Sequence, residues 1–79
     1  MEYDKDKVDE MALALLYLTS FNEGYGTRVW KSIAWEVTDR LFEKGFIGDP
    51  KGKAKSVALT DEGEKLSKEL FIKHFGMKE

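Results

Sequence analysis

The sequence predicts a small α+β domain in which a helix, a short strand, a second helix, a two-stranded β-hairpin and a third helix follow one another. Apolar residues recur at every third or fourth position between residues 8 and 19 and between 34 and 42, the spacing of amphipathic helices. Between residues 56 and 59 larger and smaller side chains alternate, as in a half-buried strand. The 79 residues have room for one hydrophobic core, so we expect residues 1–79 to form a single domain.

The first helix begins near Asp4 or Asp6, either of which can accept hydrogen bonds from the free amides of an opening turn. We expect its core face to hold the residues that share one side at spacings of three and four: Val8, Met11, Ala12, Leu15, Leu18 and Thr19. The opposite side carries a second apolar group, Leu13, Leu16 and Tyr17. Because so small a domain rarely buries both sides of one helix, the sequence predicts that this second group contacts another copy of the chain or another protein.

The middle of the chain contains a helix break and a second helix. Gly24 and Gly26 end the first helix, and the β-branched and aromatic segment 27–30 predicts the short strand. Ser32 can cap the helix that follows, and Gly45 can close it in a Schellman arrangement. The predicted core face is Ala34, Val37, Thr38 and Leu41, and the outward face is Glu36, Asp39, Arg40 and Glu43.

The hairpin is predicted from a turn-rich segment between two short apolar stretches, residues 46–48 and 55–59. The segment 49–53 combines a proline, which fixes φ, with a glycine, which allows a positive φ. Thr60 or Asp61 then caps the last helix. The buried stripe of that helix is predicted to be Leu66, Leu70 and Phe71.

Residues 33–72 resemble winged-helix regulators. The run Leu41-Phe42-Glu43-Lys44-Gly45-Phe46-Ile47 is similar to the end of their recognition helix, and Leu59-Thr60-Asp61-Glu62-Gly63 to the start of the helix after their wing. The resemblance implies that the hairpin is a wing and that the domain binds DNA. Winged-helix regulators also have a short helix before the recognition helix, whereas the glycines of segment 20–32 predict a strand in its place.

The whole chain also resembles a family of short, uncharacterised bacterial proteins. The shared stretches are Thr27-Arg28-Val29-Trp30-Lys31, Gly48-Asp49-Pro50-Lys51 and Leu59-Thr60-Asp61-Glu62-Gly63. This second resemblance implies no known activity.

Composition excludes several kinds of protein. The chain has no cysteine, so disulfides and thiolate metal sites are impossible, and a reducing, cytoplasmic location is expected. The longest apolar run, residues 11–18, has eight residues, whereas a membrane span needs roughly 20, so we expect no membrane association. The acidic N-terminus also differs from the basic, then apolar, start of a signal peptide.

Charge is unevenly distributed along the chain. Residues 1–23 hold two lysines and six carboxylates, whereas residues 28–55 hold seven basic and four acidic groups. An anionic partner is therefore expected to contact the middle of the chain. The candidate nucleic-acid-binding residues are Arg28, Lys31, Lys51, Lys53 and Lys55. The alternative is that lysines on the hairpin only prevent edge-to-edge pairing of sheets.

The second helix is poorly suited to recognise bases. Its outward face has one arginine and three carboxylates, whereas the major groove and its phosphates favour donors and cations. The predicted contact with double-stranded DNA therefore depends on the hairpin lysines.

Residues 25–46 contain five aromatic residues: Tyr25, Trp30, Trp35, Phe42 and Phe46. In a small domain such residues usually form the core. The alternatives are that they stack bases or line a small apolar pocket.

No catalytic, cofactor-binding or metal-binding residue is predicted. His74 is the single histidine and lies near the end of the sequence, without the cysteine or serine partners of a nucleophilic site. The segment 24–26 lacks the lysine and hydroxyl residue of a phosphate-binding loop. We therefore expect a non-catalytic domain without cofactors. Two hypotheses remain: a nucleic-acid-binding regulator, and a protein-interaction or homodimerisation module.

Overall fold

The computed structural model describes residues 1–24 and 26–77, which form three helices and a three-stranded antiparallel sheet. This architecture confirms the predicted α+β class. In chain order the elements are α1 (Lys5–Leu18), β1 (Phe21–Glu23), β2 (Gly26–Trp30), α2 (Trp35–Glu43), β3 (Ser56–Ala58) and α3 (Asp61–Phe75).

Two of the predicted helix caps form. The carboxylate of Asp4 accepts a hydrogen bond from the amide of Lys7 at 2.9 Å and begins α1. The hydroxyl of Thr60 accepts one from the amide of Gly63 at 2.9 Å and begins α3. Both caps satisfy amides that have no partner within the helix, so the beginnings of α1 and α3 follow directly from the local sequence.

The ends of α2 agree with prediction at one terminus only. The N-cap is Ala34, which makes no side-chain capping hydrogen bond, so the predicted cap at Ser32 is wrong. At the other terminus Gly45 has a φ of 83°, and the amide of Phe46 donates to the carbonyl of Leu41 at 3.0 Å. This is the predicted Schellman closure.

The sheet differs from the predicted hairpin. β2 is the central strand and pairs with β1 on one side and β3 on the other. The predicted pairing of residues 46–48 with residues 55–59 is present but short: Ile47 forms a bridge with Leu59, and the amide of Gly48 donates to the carbonyl of Ala58 at 2.9 Å. Pro50 has no amide to donate to a strand ladder. The carbonyls of Pro50 and Gly52 accept hydrogen bonds from the ammonium group of Lys31. Residues 48–55, between the Ile47 bridge and β3, therefore form a loop.

β1 and β2 pair as antiparallel strands, where the sequence predicted a single short strand. Phe21 pairs with Arg28, and Glu23 pairs with Gly26. Gly24 has a φ of 63°, which a glycine adopts without strain. The extra strand, β1, was not predicted because three residues are too few to show an alternating pattern.

The two sides of α1 are the reverse of those predicted. Leu13 and Leu16, expected on a partner surface, are 1% and 4% exposed and lie in the core. Leu15 and Leu18, expected in the core, are 50% and 66% exposed. Tyr17 is half-buried against α3. Because both sides of the helix are apolar, its periodicity does not decide which side is buried; the packing of α1 against α2 and α3 does.

The hydrophobic core lies between the helices and the inner face of the sheet. Val57 and Leu59 face it, as predicted from their alternation with Ser56 and Ala58. Among the described residues its buried members are all aliphatic: Leu13, Ala14, Leu16, Val29, Val37, Leu41, Ile47, Val57, Leu59 and Leu70.

The predicted aromatic core is wrong for three of its residues. Trp30, Trp35 and Phe42 are 49%, 74% and 40% exposed. Phe46 is half-buried and packs against the core, and Tyr25 lies outside the described residues. The aliphatic side chains already fill the small interior, so these three aromatic rings remain at the surface.

Candidate nucleic-acid interface

The three lysines predicted on the hairpin lie on an exposed loop, residues 48–55, which we call the lysine loop. The side chains of Lys51, Lys53 and Lys55 are all exposed. The carboxylate of Asp49 accepts a hydrogen bond from the amide of Lys51 at 2.9 Å and fixes the turn at which the loop begins. At the base of the loop the amide of Lys31 donates to the carbonyl of Lys55 at 2.8 Å. Three cationic side chains are therefore presented on one closed loop.

Lys31 holds the lysine loop from within. Its ammonium group donates to the carbonyl of Pro50 at 2.8 Å and to that of Gly52 at 3.1 Å. These bonds orient the loop backbone and place a fourth positive charge beside the loop lysines. Lys31, one of the five predicted cationic residues, therefore lies beside the loop lysines and acts chiefly by positioning the loop backbone.

Arg28 lies on the outer face of the sheet and contacts Ser56, the residue that follows the lysine loop. Its Nε donates to the hydroxyl of Ser56 at 2.9 Å and its Nη2 to the carbonyl of the same residue at 2.9 Å. Glu23 lies 3.8 Å away and offsets part of its charge. Four of the five predicted cationic residues thus lie on or against the lysine loop, and Arg28 is engaged in a cross-strand contact at the end of the loop.

Two open clefts lie beside the lysine loop, and each contains one tryptophan. The first has a volume of about 460 Å³, and the second about 320 Å³. Lys31 lines both. The first cleft is lined by Trp30, Lys31, Ser32, Ala54 and Lys55. The second is lined by Lys31, Ile33, Trp35, Thr38, Asp39, Pro50 and Lys51. Only the second includes a carboxylate among the described residues.

The outward face of α2 is more acidic than its sequence suggests. Glu36 and Glu43 are exposed, and Asp39 is half-buried. Arg40, predicted on the same face, turns toward α1, where its Nε lies 2.9 Å from both carboxylate oxygens of Asp9. The face therefore keeps its carboxylates and loses its one arginine, which disfavours contact with a DNA groove.

Asp9 is the centre of a buried charge cluster that sequence analysis did not predict. Its side chain is 2% exposed, and Lys44 Nζ lies 2.9 Å from its Oδ2. Lys44 also lies 3.0 Å from Asp6. The cluster connects α1 to α2 through Arg40 and Lys44, so two of the cations counted along the middle of the chain are neutralised within the fold.

The cluster shifts the pKa values of its members in the directions expected of paired charges. Burial alone raises the pKa of Asp9, but hydrogen bonds from Arg40 and Lys44 outweigh it and hold the pKa below its ordinary value. The hydrogen bond to Asp9 raises the pKa of Arg40 and that of Lys44, and Asp6 adds to the shift for Lys44. All three groups are therefore charged near neutral pH.

A sequence signal for this cluster existed. Asp9 precedes Leu13 by four positions and Leu16 by seven, so all three lie on one side of α1. Had the side with Leu13 been assigned to the core, a buried carboxylate in need of a cation would have followed. Because the opposite side of α1 was predicted to face the core, the burial of Asp9 was not predicted.

Residues 4–77 match the family described as Domain of unknown function (DUF6429). The chain belongs to this family. The uncharacterized protein y4hR of Sinorhizobium fredii (strain NBRC 101917 / NGR234) is 52% identical over 75 residues, which cover 95% of this chain and 97% of that protein. No solved structure matches the chain. The predicted resemblance to short uncharacterised bacterial proteins is confirmed, and the likeness to winged-helix regulators stays a prediction.

The DUF6429 chain also has an exposed apolar stripe on α1, on the side opposite to the core. Val8, Leu15 and Leu18 are 36%, 50% and 66% exposed, and Met11 is half-buried. This stripe, residues 8, 11, 15 and 18, replaces the group around Leu13 as the candidate partner surface.

Within residues 1–24 and 26–77, histidine and carboxylate side chains form no group of three that could hold a metal ion. His74 lies 3.3 Å from Glu10, whose pKa is lowered by that hydrogen bond. Among the helices of the described segments, none is long and apolar enough to cross a membrane.

Proposed function

We propose that this DUF6429 domain binds nucleic acid without catalysing a reaction, and that the lysine loop contacts the phosphate backbone. The supporting observation is the joint exposure of Lys51, Lys53 and Lys55 on one loop whose backbone is held by Lys31. A loop that is already ordered loses little conformational entropy when it binds. Lysines act on phosphates as point charges, so this contact is independent of sequence.

Double-stranded DNA is the partner expected from the likeness to winged-helix regulators. The lysine loop follows α2 as a wing follows a recognition helix, and β3 pairs with β2 beside it. These features support a winged-helix-like origin of the domain. The acidic outward face of α2 argues against base recognition by that helix. We therefore expect weak binding, with a regulatory or accessory role rather than that of a sequence-specific repressor.

Fluorescence anisotropy with labelled oligonucleotides tests the proposal. We expect binding at low salt that weakens as salt rises, with a log-log slope of about −3 for duplex DNA, because three lysines displace counterions. Replacing Lys51, Lys53 and Lys55 by glutamine should abolish binding.

The matched control replaces three exposed lysines elsewhere, Lys5, Lys65 and Lys68, by glutamine. It changes the net charge equally and should leave most of the binding intact. Absence of binding by the unaltered protein at low salt, or equal loss in both triple variants, would show that the lysine loop is not a nucleic-acid site.

Self-association through α1 is a second candidate function. Val8, Met11, Leu15 and Leu18 are separated by three, four and three positions, the spacing of the a and d positions of a coiled coil. Two copies of α1 can pack along such a stripe and remove it from water, which also adds apolar burial to a small core.

Sedimentation equilibrium tests this second candidate. We expect a monomer–dimer equilibrium in the unaltered protein and a monomer after Leu15→Glu, since a charge at the centre of the stripe opposes burial. Lys68→Glu, on the exposed side of α3, is the control and should still dimerise. A monomer at millimolar concentration would exclude self-association.

A further inference from the structure

The outer face of the sheet is not covered by a helix in the described part of the chain. Thr27 and Val29 of β2 are buried and face the core, whereas Gly26 and Trp30 are exposed and Arg28 is half-buried. Opposed residues of paired strands lie on the same face. Phe21, which pairs with Arg28, therefore also lies on the outer face.

Trp30 presents an aromatic ring on this face in a fixed orientation. Its ring centroid lies 4.8 Å from that of Phe21, with an angle of 31° between the planes. Despite this contact Trp30 is 49% exposed. Phe21 thus supports the indole on one side and leaves much of it accessible to a planar partner.

The cleft beside Trp30 has the charge that a nucleotide requires. Lys31 and Lys55 line it, and no carboxylate does so among the described residues. A base stacked on the indole would leave its phosphates close to these ammonium groups. This combination of an aromatic ring and flanking cations is typical of surfaces that bind single strands.

We propose that the first cleft binds single-stranded nucleic acid by stacking one base on Trp30, with the flanking phosphates contacted by Lys55 and the rest of the lysine loop. This inference rests on the proposed nucleic-acid binding and specifies its substrate. Bases in a duplex stack on one another, so a duplex can offer only its phosphates to the loop, and removing a base from the stack costs energy. Single strands have no such cost and should bind more tightly.

Trp35 provides the matched control. It is the other exposed tryptophan, at 74%, and it also lies beside the lysine loop. Its cleft includes Asp39, whose carboxylate repels a phosphate. Trp35→Ala should therefore leave the affinity for single strands unchanged, whereas Trp30→Ala should weaken it about tenfold.

The experiment measures the affinities of labelled oligo-dT and oligo-rU and of a duplex with the same number of phosphates. Trp30→Ala should lower the affinity for the two single strands and leave that for the duplex unchanged. Trp30→Phe should retain most of the single-strand affinity that Trp30→Ala loses. The triple glutamine variant of the loop should bind none of the three oligonucleotides. In a Trp35→Phe background the fluorescence of Trp30 should be quenched by the single strands and not by the duplex. Thermal melting of each variant confirms that it is folded.

The outcomes separate this inference from the proposed function. If no oligonucleotide binds, both fail. If single strands and duplex bind equally and Trp30→Ala matches the unaltered protein, the stacking inference fails and phosphate binding by the lysine loop remains. If free thymidine or uridine monophosphate competes as well as the oligonucleotides do, the cleft is a mononucleotide site and the single-strand inference is overturned.

Discussion

Arg40 of α2 makes a bidentate contact with Asp9 of α1: its Nε lies 2.9 Å from both carboxylate oxygens, and its Nη2 lies 2.8 Å from Oδ1. Asp9 is 2% exposed, so it has little access to water as an alternative partner. This pair, with Lys44, joins the two helices at the edge of the core.

Removing the cation of this pair should destabilise the domain strongly. We expect Arg40→Met to lower the free energy of unfolding by about 3 kcal/mol, because Asp9 remains buried with Lys44 as its main partner. Urea denaturation measures the change. The double variant Asp9→Leu with Arg40→Met should regain much of the loss, since an apolar pair needs no compensation. Equal losses in the single and double variants would contradict a role for buried charge.

The same pair should make stability depend on pH. The pKa of Asp9 is lower in the folded chain than its ordinary value of 3.8, so the unfolded state binds more protons at acidic pH. The stabilisation is complete above the ordinary pKa and is lost as pH falls through the folded pKa. Urea denaturation between pH 7 and pH 2 should therefore show a falling stability. Asp9→Asn should be less stable at pH 7, and its deficit should shrink in acid. A deficit that is constant with pH would contradict this assignment.

Gly63 should tolerate no side chain. A Cβ at this position would overlap the backbone carbonyl of Phe46, against which the first turn of α3 packs. We expect Gly63→Ala to cost about 1–3 kcal/mol, although alanine favours helix, because backbone must shift to make room. Gly52→Ala is the control, since its nearest neighbour would lie 4.0 Å away. Thermal melting should show a lower transition temperature for Gly63→Ala alone.

Local signals predicted the helices better than they predicted how the helices pack. Asp4, Thr60 and Gly45 place the helix ends because a cap or a left-handed residue acts within one turn. The sheet pairing depends on residues far apart in sequence, such as Trp30 and Ser56. No local pattern indicates such a pair, so the pairing of β3 with β2 was not predicted; the predicted pairing with residues 46–48 is limited to the bridge between Ile47 and Leu59.

The candidate site was only partly predicted, again because it depends on contacts between residues far apart in sequence. The lysines of the loop were found from composition and turn residues alone. Whether Trp30 lies in the core or on the surface depends on which strands pair with β2 and on which face of the sheet the helices cover. Neither is encoded in the local sequence. The contact of Lys31 with the carbonyls of Pro50 and Gly52 likewise joins segments 19 and 21 positions apart.

The orientation of α1 is tested by two leucines that lie two positions apart. Leu13 is 1% exposed and Leu15 is 50% exposed, and replacing either by alanine changes helix propensity equally. We expect Leu13→Ala to cost about 2–5 kcal/mol through the cavity it leaves, and Leu15→Ala to cost about 1 kcal/mol or less. Denaturation should be repeated at several protein concentrations, because burial of Leu15 between two copies would add a cost that grows with concentration. A larger loss at Leu15 than at Leu13 in dilute solution would mean that α1 packs with its other side toward the core.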